Sequence, residues 1–143
     1  MKRILLFFLT TILSLLITAS CSILPGNGSN QLNGTSWRLI SYEEKQPIPG
    51  KDMTAKFDIQ EVSGSASCNH YFGSYSVAGD RISIQGLGWT EMACLDPEGI
   101  MEQEQVLMKL FSESTSYSIQ GNTLQISTSS GDLLLFERMD PSE

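Results

Sequence analysis

What most limits the fold of this chain is a period of two. Ala55-Lys56-Phe57-Asp58-Ile59 alternates apolar and polar side chains, as do Gly73-Ser74-Tyr75-Ser76-Val77 and Arg81-Ile82-Ser83-Ile84-Gln85. Successive residues of a strand point to opposite faces, so each run suits a strand with one dry face and one wet face. Thr35 to Tyr42 belongs with them, with Trp37 and Leu39 on one face and Arg38 and Ile40 on the other. Tyr117 with Ile119, Leu124 with Ile126, and Leu133 to Phe136 predict three more strands. Ala78-Gly79-Asp80, Gly121-Asn122 and Ser129-Ser130-Gly131-Asp132 join them through residue types that tolerate positive φ. Lys45 to Lys51, with its prolines and glycine, turns the chain, and Ser63 to Cys68 is small and weakly patterned.

One segment leaves this period. Asp96 is placed as an N-cap, Pro97 suits the first helical position, and Glu98 favours the positive end of a helix dipole. Ile100, Leu107 and Phe111, flanked by Met101, Met108 and Leu110, form a broad apolar stripe and predict a helix over residues 97–112. Strands joined by short turns pair antiparallel. The expected class is α+β: a curled antiparallel sheet of seven or eight strands packed on one α-helix.

The first residues describe export. Lys2 and Arg3 precede an apolar run from Ile4 to Ile17, broken only by Thr10, Thr11 and Ser14. At helical rise this run covers about 21 Å, short of the roughly 30 Å hydrocarbon core of a bilayer. Thr18-Ala19-Ser20 then supplies small residues directly before Cys21. This is the layout of a secretory signal over residues 1–20. It resembles the lipobox of bacterial lipoproteins, with Thr18 where leucine is usual, and the resemblance implies that Cys21 is acylated (palmitate or similar chains) and anchors the protein. Several acyl chains give stable membrane attachment where one does not. Ser22 after the Cys, rather than Asp, resembles the pattern sent to the outer membrane of a diderm cell, facing the periplasm. Residues 21–33, rich in Gly, Asn and Ser, read as the lipidated Cys and a flexible tether, and 34–139 as the folded domain. Without the leader, seven bases face sixteen acids and leave the chain at −9. Such a charge repels phosphate backbones, so no nucleic acid is expected as a partner.

Three segments carry a further resemblance. Gly34-Thr35-Ser36-Trp37-Arg38-Leu39, Ser67-Cys68-Asn69-His70-Tyr71-Phe72-Gly73-Ser74-Tyr75 and Trp89-Thr90-Glu91-Met92-Ala93-Cys94 resemble the META (HslJ-like) domain in order and spacing. A helix with Met101, Glu104, Leu107 and Leu110 and the closing Leu133-Leu134-Leu135-Phe136 extend the likeness. Ser67 stands where the family's Gly-Cys-Asn motif has glycine, which removes a permissive backbone position. The resemblance implies a bacterial envelope protein linked to heat-shock responses, drug tolerance and motility or secretion, in a family not known for catalysis.

The candidate site residues are few. Cys68 and Cys94 remain once Cys21 is lipidated, and an even pair in an oxidising compartment is expected as a disulfide. Closing that loop would stabilise the fold by about 3.5 kcal/mol in the chain-entropy model. Free thiols, or a metal site of Cys68, His70, Cys94 and Asp96, are the rivals, although Cys-x-His and Cys-x-Asp are not the usual zinc spacings. Glu104 falls inside the apolar stripe of the helix, where a carboxylate must be satisfied. It reads as a structural anchor to loop N–H groups, to Asn69 or to Thr90, with a binding or proton-handling role as the alternative. Tyr71, Phe72, Tyr75 and Trp89 could form an aromatic platform, and Asn69, Tyr71 and Trp89 are the expected binding surface. His70, the single histidine, would have to carry any hydrolytic mechanism, with Asp96 as its acid. No nucleophile elbow or phosphate loop accompanies it. The expectation is therefore a non-enzymatic, tethered binding or stress-protective module. It would need no cofactor or metal, and its partners would be the membrane through Cys21 and an unidentified envelope protein or ligand. A small periplasmic hydrolase using His70 is the alternative.

Overall fold

The alternating runs pair in sequence order into one antiparallel sheet that closes on itself. The structure, a computed structural model, describes residues 30–140; the leader, Cys21 and most of the expected tether lie outside them. The strands are β1 (Thr35–Tyr42), β2 (Thr54–Phe57), β3 (Glu61–Ser65), β4 (His70–Ala78), β5 (Arg81–Trp89), β6 (Ser114–Gln120), β7 (Thr123–Thr128) and β8 (Leu133–Arg138). The helix, α1, covers Ile100–Ser112. β8 returns to pair with β1, Trp37 opposite Arg138 and Tyr42 opposite Leu134, so the curled sheet is a closed barrel in which each described strand has a neighbour on both sides.

Each strand places its apolar parity inside. Trp37, Leu39, Phe57, Val62, Tyr71, Tyr75, Ile82, Ile84, Leu124, Ile126, Leu134 and Phe136 are all buried in one core. α1 lies across one end of the barrel and adds Leu107, Leu110 and Phe111 to that core. Phe111 meets the edge of the Tyr71 ring, centroids 5.5 Å apart, and Phe57 meets Tyr75 in the same way at 4.9 Å. Such edge-to-face pairs add to the stabilisation from burial. The loop after β1 ties to the helix, because the Ile48 N–H donates to Gln103 Oε1 at 2.7 Å. The chain enters at the opposite end, where the Gly34 N–H bonds the Phe57 carbonyl and the Met139 N–H bonds the Ser36 carbonyl.

Three expectations change. The domain does not start at Gly34: Leu32 is fully buried in the core and Asn30 Nδ2 donates to the Tyr75 hydroxyl at 2.8 Å. Residues 30–33 therefore belong to the fold and not to the tether; a single leucine among Gly, Asn and Ser has no period to announce it. β3 occupies residues that show little pattern, because β2 runs so close that a Cβ at Gly64 would strike the Thr54 carbonyl. Small residues there reflect a close approach. Finally, α1 begins at Ile100 rather than Pro97. Gly99 holds φ at 86°, outside the helical region, and takes the N-cap position, while Asp96 makes no capping bond and is exposed.

Candidate functional site

The register of β4 decides which aromatic residues face water. Tyr71 and Tyr75 point into the barrel and Phe72 points out. Tyr71 is therefore not a surface residue: it is buried, and its hydroxyl donates to the Thr54 carbonyl at 2.8 Å. Burial pushes its phenol far above the ordinary value of 10. Asn69 also leaves the expected binding surface, since only 1% of it is exposed. Of that trio Trp89 remains accessible, at 47%. Phe72 is the exposed aromatic that the register supplies instead, its ring lying against Gly88 on the outer face.

Buried beneath Trp89 is a polar node. Glu104 sits on the helix face that meets the 66–69 loop and is 2% exposed. Its Oε2 accepts the backbone N–H of Asn69 at 2.7 Å and of Cys68 at 3.2 Å, while its Oε1 accepts Asn69 Nδ2 at 2.7 Å. Asn69 passes the connection on. Its Oδ1 accepts the Thr90 hydroxyl at 2.7 Å and the Met92 N–H at 2.8 Å, and its Nδ2 also donates to the Met92 carbonyl. One turn of helix is thus joined through one carboxamide to the loop that follows β5. The disulfide between Cys68 and Cys94 fastens the same two loops. With both cysteines bonded to each other, the four-residue metal site does not form. Among the described residues no three His, Cys, Asp or Glu side chains gather as metal ligands would.

Gln103, beside Glu104, was not legible as a site residue. It is buried, and its amide accepts from the Ile48 N–H and donates to the Ser67 hydroxyl at 2.8 Å and the Lys51 carbonyl at 3.2 Å. The available signal was a second polar side chain next to Glu104 at the edge of the apolar stripe. Ser67, where the family motif has glycine, holds φ at 96°. Its own N–H bonds the Ser65 hydroxyl, and its hydroxyl takes the Gln103 bond. A left-handed backbone at a non-glycine residue is strained, and here its side chain offsets part of that cost.

His70 is exposed at the start of β4, and its backbone bonds Thr90 in both directions, N–H to the Thr90 hydroxyl and carbonyl from the Thr90 N–H. Among the described residues neither its imidazole nor the Asp96 carboxylate has a hydrogen bond or ion pair. What the surface does offer is apolar. Met92 and Leu95 are exposed at 53% and 91% on the disulfide-bound loop. Trp89 overhangs a groove between β5 and α1, a volume of about 600 Å³ lined by Leu87, Gln105, Met108 and Lys109. A neighbouring hollow of about 280 Å³ reaches from Trp89 over Met92 to Met101.

The META domain family model matches residues 30–141. An NMR structure of a protein from Burkholderia xenovorans is similar over 76% of this chain and 83% of its own, at 26% identity and a TM-score of 0.62. A second NMR structure is similar over 75% and 91%, at 22% identity and a TM-score of 0.61. The crystal structure of a DUF4847 family protein from Bacteroides vulgatus shares the fold at 10% identity, over 77% of this chain and 97% of its own, with a TM-score of 0.56. No curated protein matches the chain.

Proposed function

The chain belongs to the META domain family, and from that premise we propose that it is a lipid-anchored, non-enzymatic envelope module that works by binding at the helix-capped end of its barrel. The observation that carries this reading is the contrast between polar and apolar groups there. Glu104, the acid best placed for chemistry, has both oxygens occupied by three N–H donors from Cys68 and Asn69. A group so engaged holds structure. Beside it, Trp89, Met92 and Leu95 present apolar surface to water, the type of surface that marks recognition. Acylation at Cys21 would hold the module to a membrane, the outer membrane in a diderm cell, and a role in stress protection fits that place.

Two sets of variants test the reading. Trp89→Asp should abolish whatever envelope phenotype deletion produces while leaving thermal stability and membrane location unchanged, and His70→Ala should be silent. The reverse result, His70→Ala folded but inactive and Trp89→Asp unaffected, would reinstate the hydrolase. Cys21→Ala should leave the protein unacylated and outside the membrane fraction. Finding it still acylated and membrane-bound would remove the anchor from the proposal.

A further inference from the structure

The loop after β5 is anchored at an exposed residue. The Met92 N–H donates to Asn69 Oδ1 at 2.8 Å, and the Met92 carbonyl accepts Asn69 Nδ2 at 3.2 Å. Two residues on, the disulfide holds Cys94. The backbone of Met92 is therefore fixed while 53% of the residue is open to water. The hollow of about 280 Å³ lies between this loop and α1. Met92, Trp89 and Glu91 line it from the loop and the end of β5. Met101, Glu104 and Gln105 line it from the helix, three and four residues apart and so on one face.

The donors left free in that hollow are soft. Glu104 has both oxygens taken by three N–H groups, and the Asn69 carboxamide is fully engaged. Neither imidazole nor thiolate lines the hollow, so the donors of a zinc site are lacking. Glu91 is one free carboxylate, far short of the oxygen shell that calcium takes. What remain are two thioethers on opposite walls and an indole.

We propose that this hollow binds copper(I), a soft monovalent ion, between the thioethers of Met92 and Met101 with the Trp89 ring against it. The inference rests on the binding-module reading and names a ligand for the helix-capped end. Thioethers favour copper(I) over zinc, magnesium and calcium. An unbranched methionine turns about three side-chain bonds to meet an ion, and the pinned backbone of Met92 limits the ordering this costs. An indole face attracts a cation held within about 6 Å of its centre. Glu91, with no ion pair or hydrogen bond among the described residues, supplies a negative charge beside the ion.

The test uses the full acylated chain in detergent micelles with isotope-labelled methionine methyl groups. Copper(I) is supplied as its bicinchoninate complex without oxygen, and silver(I) nitrate is a second probe that undergoes no redox cycle. One equivalent of either ion should shift the Met92 and Met101 methyl resonances. Met53, buried in the core, and Met139, at the other end of the barrel, should stay unmoved. Met92→Leu and Met101→Leu conserve volume. Each should weaken binding by about tenfold or more, since losing a ligand costs no less than losing one of its outer partners. Trp89→Phe should weaken it about threefold. Cys21 is the same in every variant, so sulfur there cancels from the comparison. No shift at any methyl, shifts at Met139 equal to those at Met92 and Met101, or unchanged affinity in both leucine variants would overturn the proposal. Zinc binding as tightly as copper(I) would overturn it in favour of an oxygen site. If only this inference fails, Trp89→Asp still abolishes the envelope phenotype; if the module reading fails, that variant is silent even where the ion binds.

Discussion

Where the chain enters the barrel, Leu32, Trp37, Phe57 and Tyr75 pack on one another. Where α1 crosses it, Glu104, Asn69, Gln103 and a disulfide hold two loops to a helix. The first end depends on burial, which is non-directional and scales with area. The second depends on distances of 2.7–2.8 Å between particular atoms. The difference teaches how one small domain divides its work. Burial sets the barrel, and directional bonds let irregular loops stay fixed while their outer faces remain free to carry exposed apolar groups. The two ends should therefore respond differently to the removal of atoms.

The largest effect is expected at the entry end. Trp37 is fully buried, donates Nε1–H to the Thr35 hydroxyl at 2.6 Å and lies beneath Arg138, 4.3 Å from the ring centroid. Trp37→Ala should cost about 4 kcal/mol, the range for truncating a large core aromatic, read as a shift in denaturant midpoint. At the capped end, replacing Cys68 and Cys94 together by serine should cost about 3.5 kcal/mol through the released unfolded chain. A loss below about 1 kcal/mol would mean that the Asn69 bonds hold the 90–94 loop alone.

Glu104 separates direction from volume. Glu104→Ala removes the acceptor of three N–H bonds, two of them buried, and should cost about 3 kcal/mol, while Glu104→Gln keeps an accepting oxygen and should cost about half as much. Equal losses from the two variants would show that burial, and not hydrogen bonding, governs the capped end as well. Midpoints from urea titrations at matched slopes decide between them.

Alkali should act through the aromatic residue buried at the capped end, Tyr71, which packs on Phe111 and bonds the Thr54 carbonyl. Burial raises the Tyr71 phenol far above 10, so the folded state keeps a proton that the unfolded chain releases. Its contribution is complete below pH 10 and is lost as pH climbs beyond that value, at about 1.4 kcal/mol per unit. Burial raises Tyr75 and Tyr117 in the same direction. Tyr71→Phe should flatten part of the decline between pH 10 and 11. An unchanged slope would mean that Tyr71 ionises in place.

Much of the barrel was legible because alternation and burial are the same fact seen twice. Trp37, Leu39, Ile82, Ile84, Leu124 and Ile126 keep one parity and share one core. The disulfide was legible from an even pair of cysteines in a domain expected to be exported. What escaped was set by contacts distant in sequence. Tyr71 and Phe72 are adjacent aromatics, and which of them turns inward shows only once β4 is seen to run unbroken from His70, so that Tyr71 shares the parity of Tyr75. Leu32 is one apolar residue in a polar stretch. The groove beside Trp89 arises because β5 outruns β6, a mismatch of lengths that no local pattern reports.

The smallest expected effect concerns Ser67, where strain and hydrogen bonding oppose each other at one residue. Its φ of 96° is a conformation that suits glycine, and holding another residue there costs roughly 1–2 kcal/mol. Its hydroxyl accepts the Gln103 amide at 2.8 Å, a bond worth about 1 kcal/mol. Ser67→Gly relieves the strain, loses the bond and adds freedom to the unfolded chain, so its stability should stay within about 0.5 kcal/mol of the parent. Ser67→Ala keeps the strain and loses the bond, and should fall by about 1 kcal/mol or more. The gap between glycine and alanine therefore reads the backbone strain less the roughly 0.4–1 kcal/mol that glycine loses to its freer unfolded chain, without the hydroxyl that both variants lack. Should the alanine variant exceed the glycine variant by about 0.4–1 kcal/mol in thermal and urea midpoints, Ser67 is unstrained and the capped end owes nothing to its side chain beyond one replaceable bond.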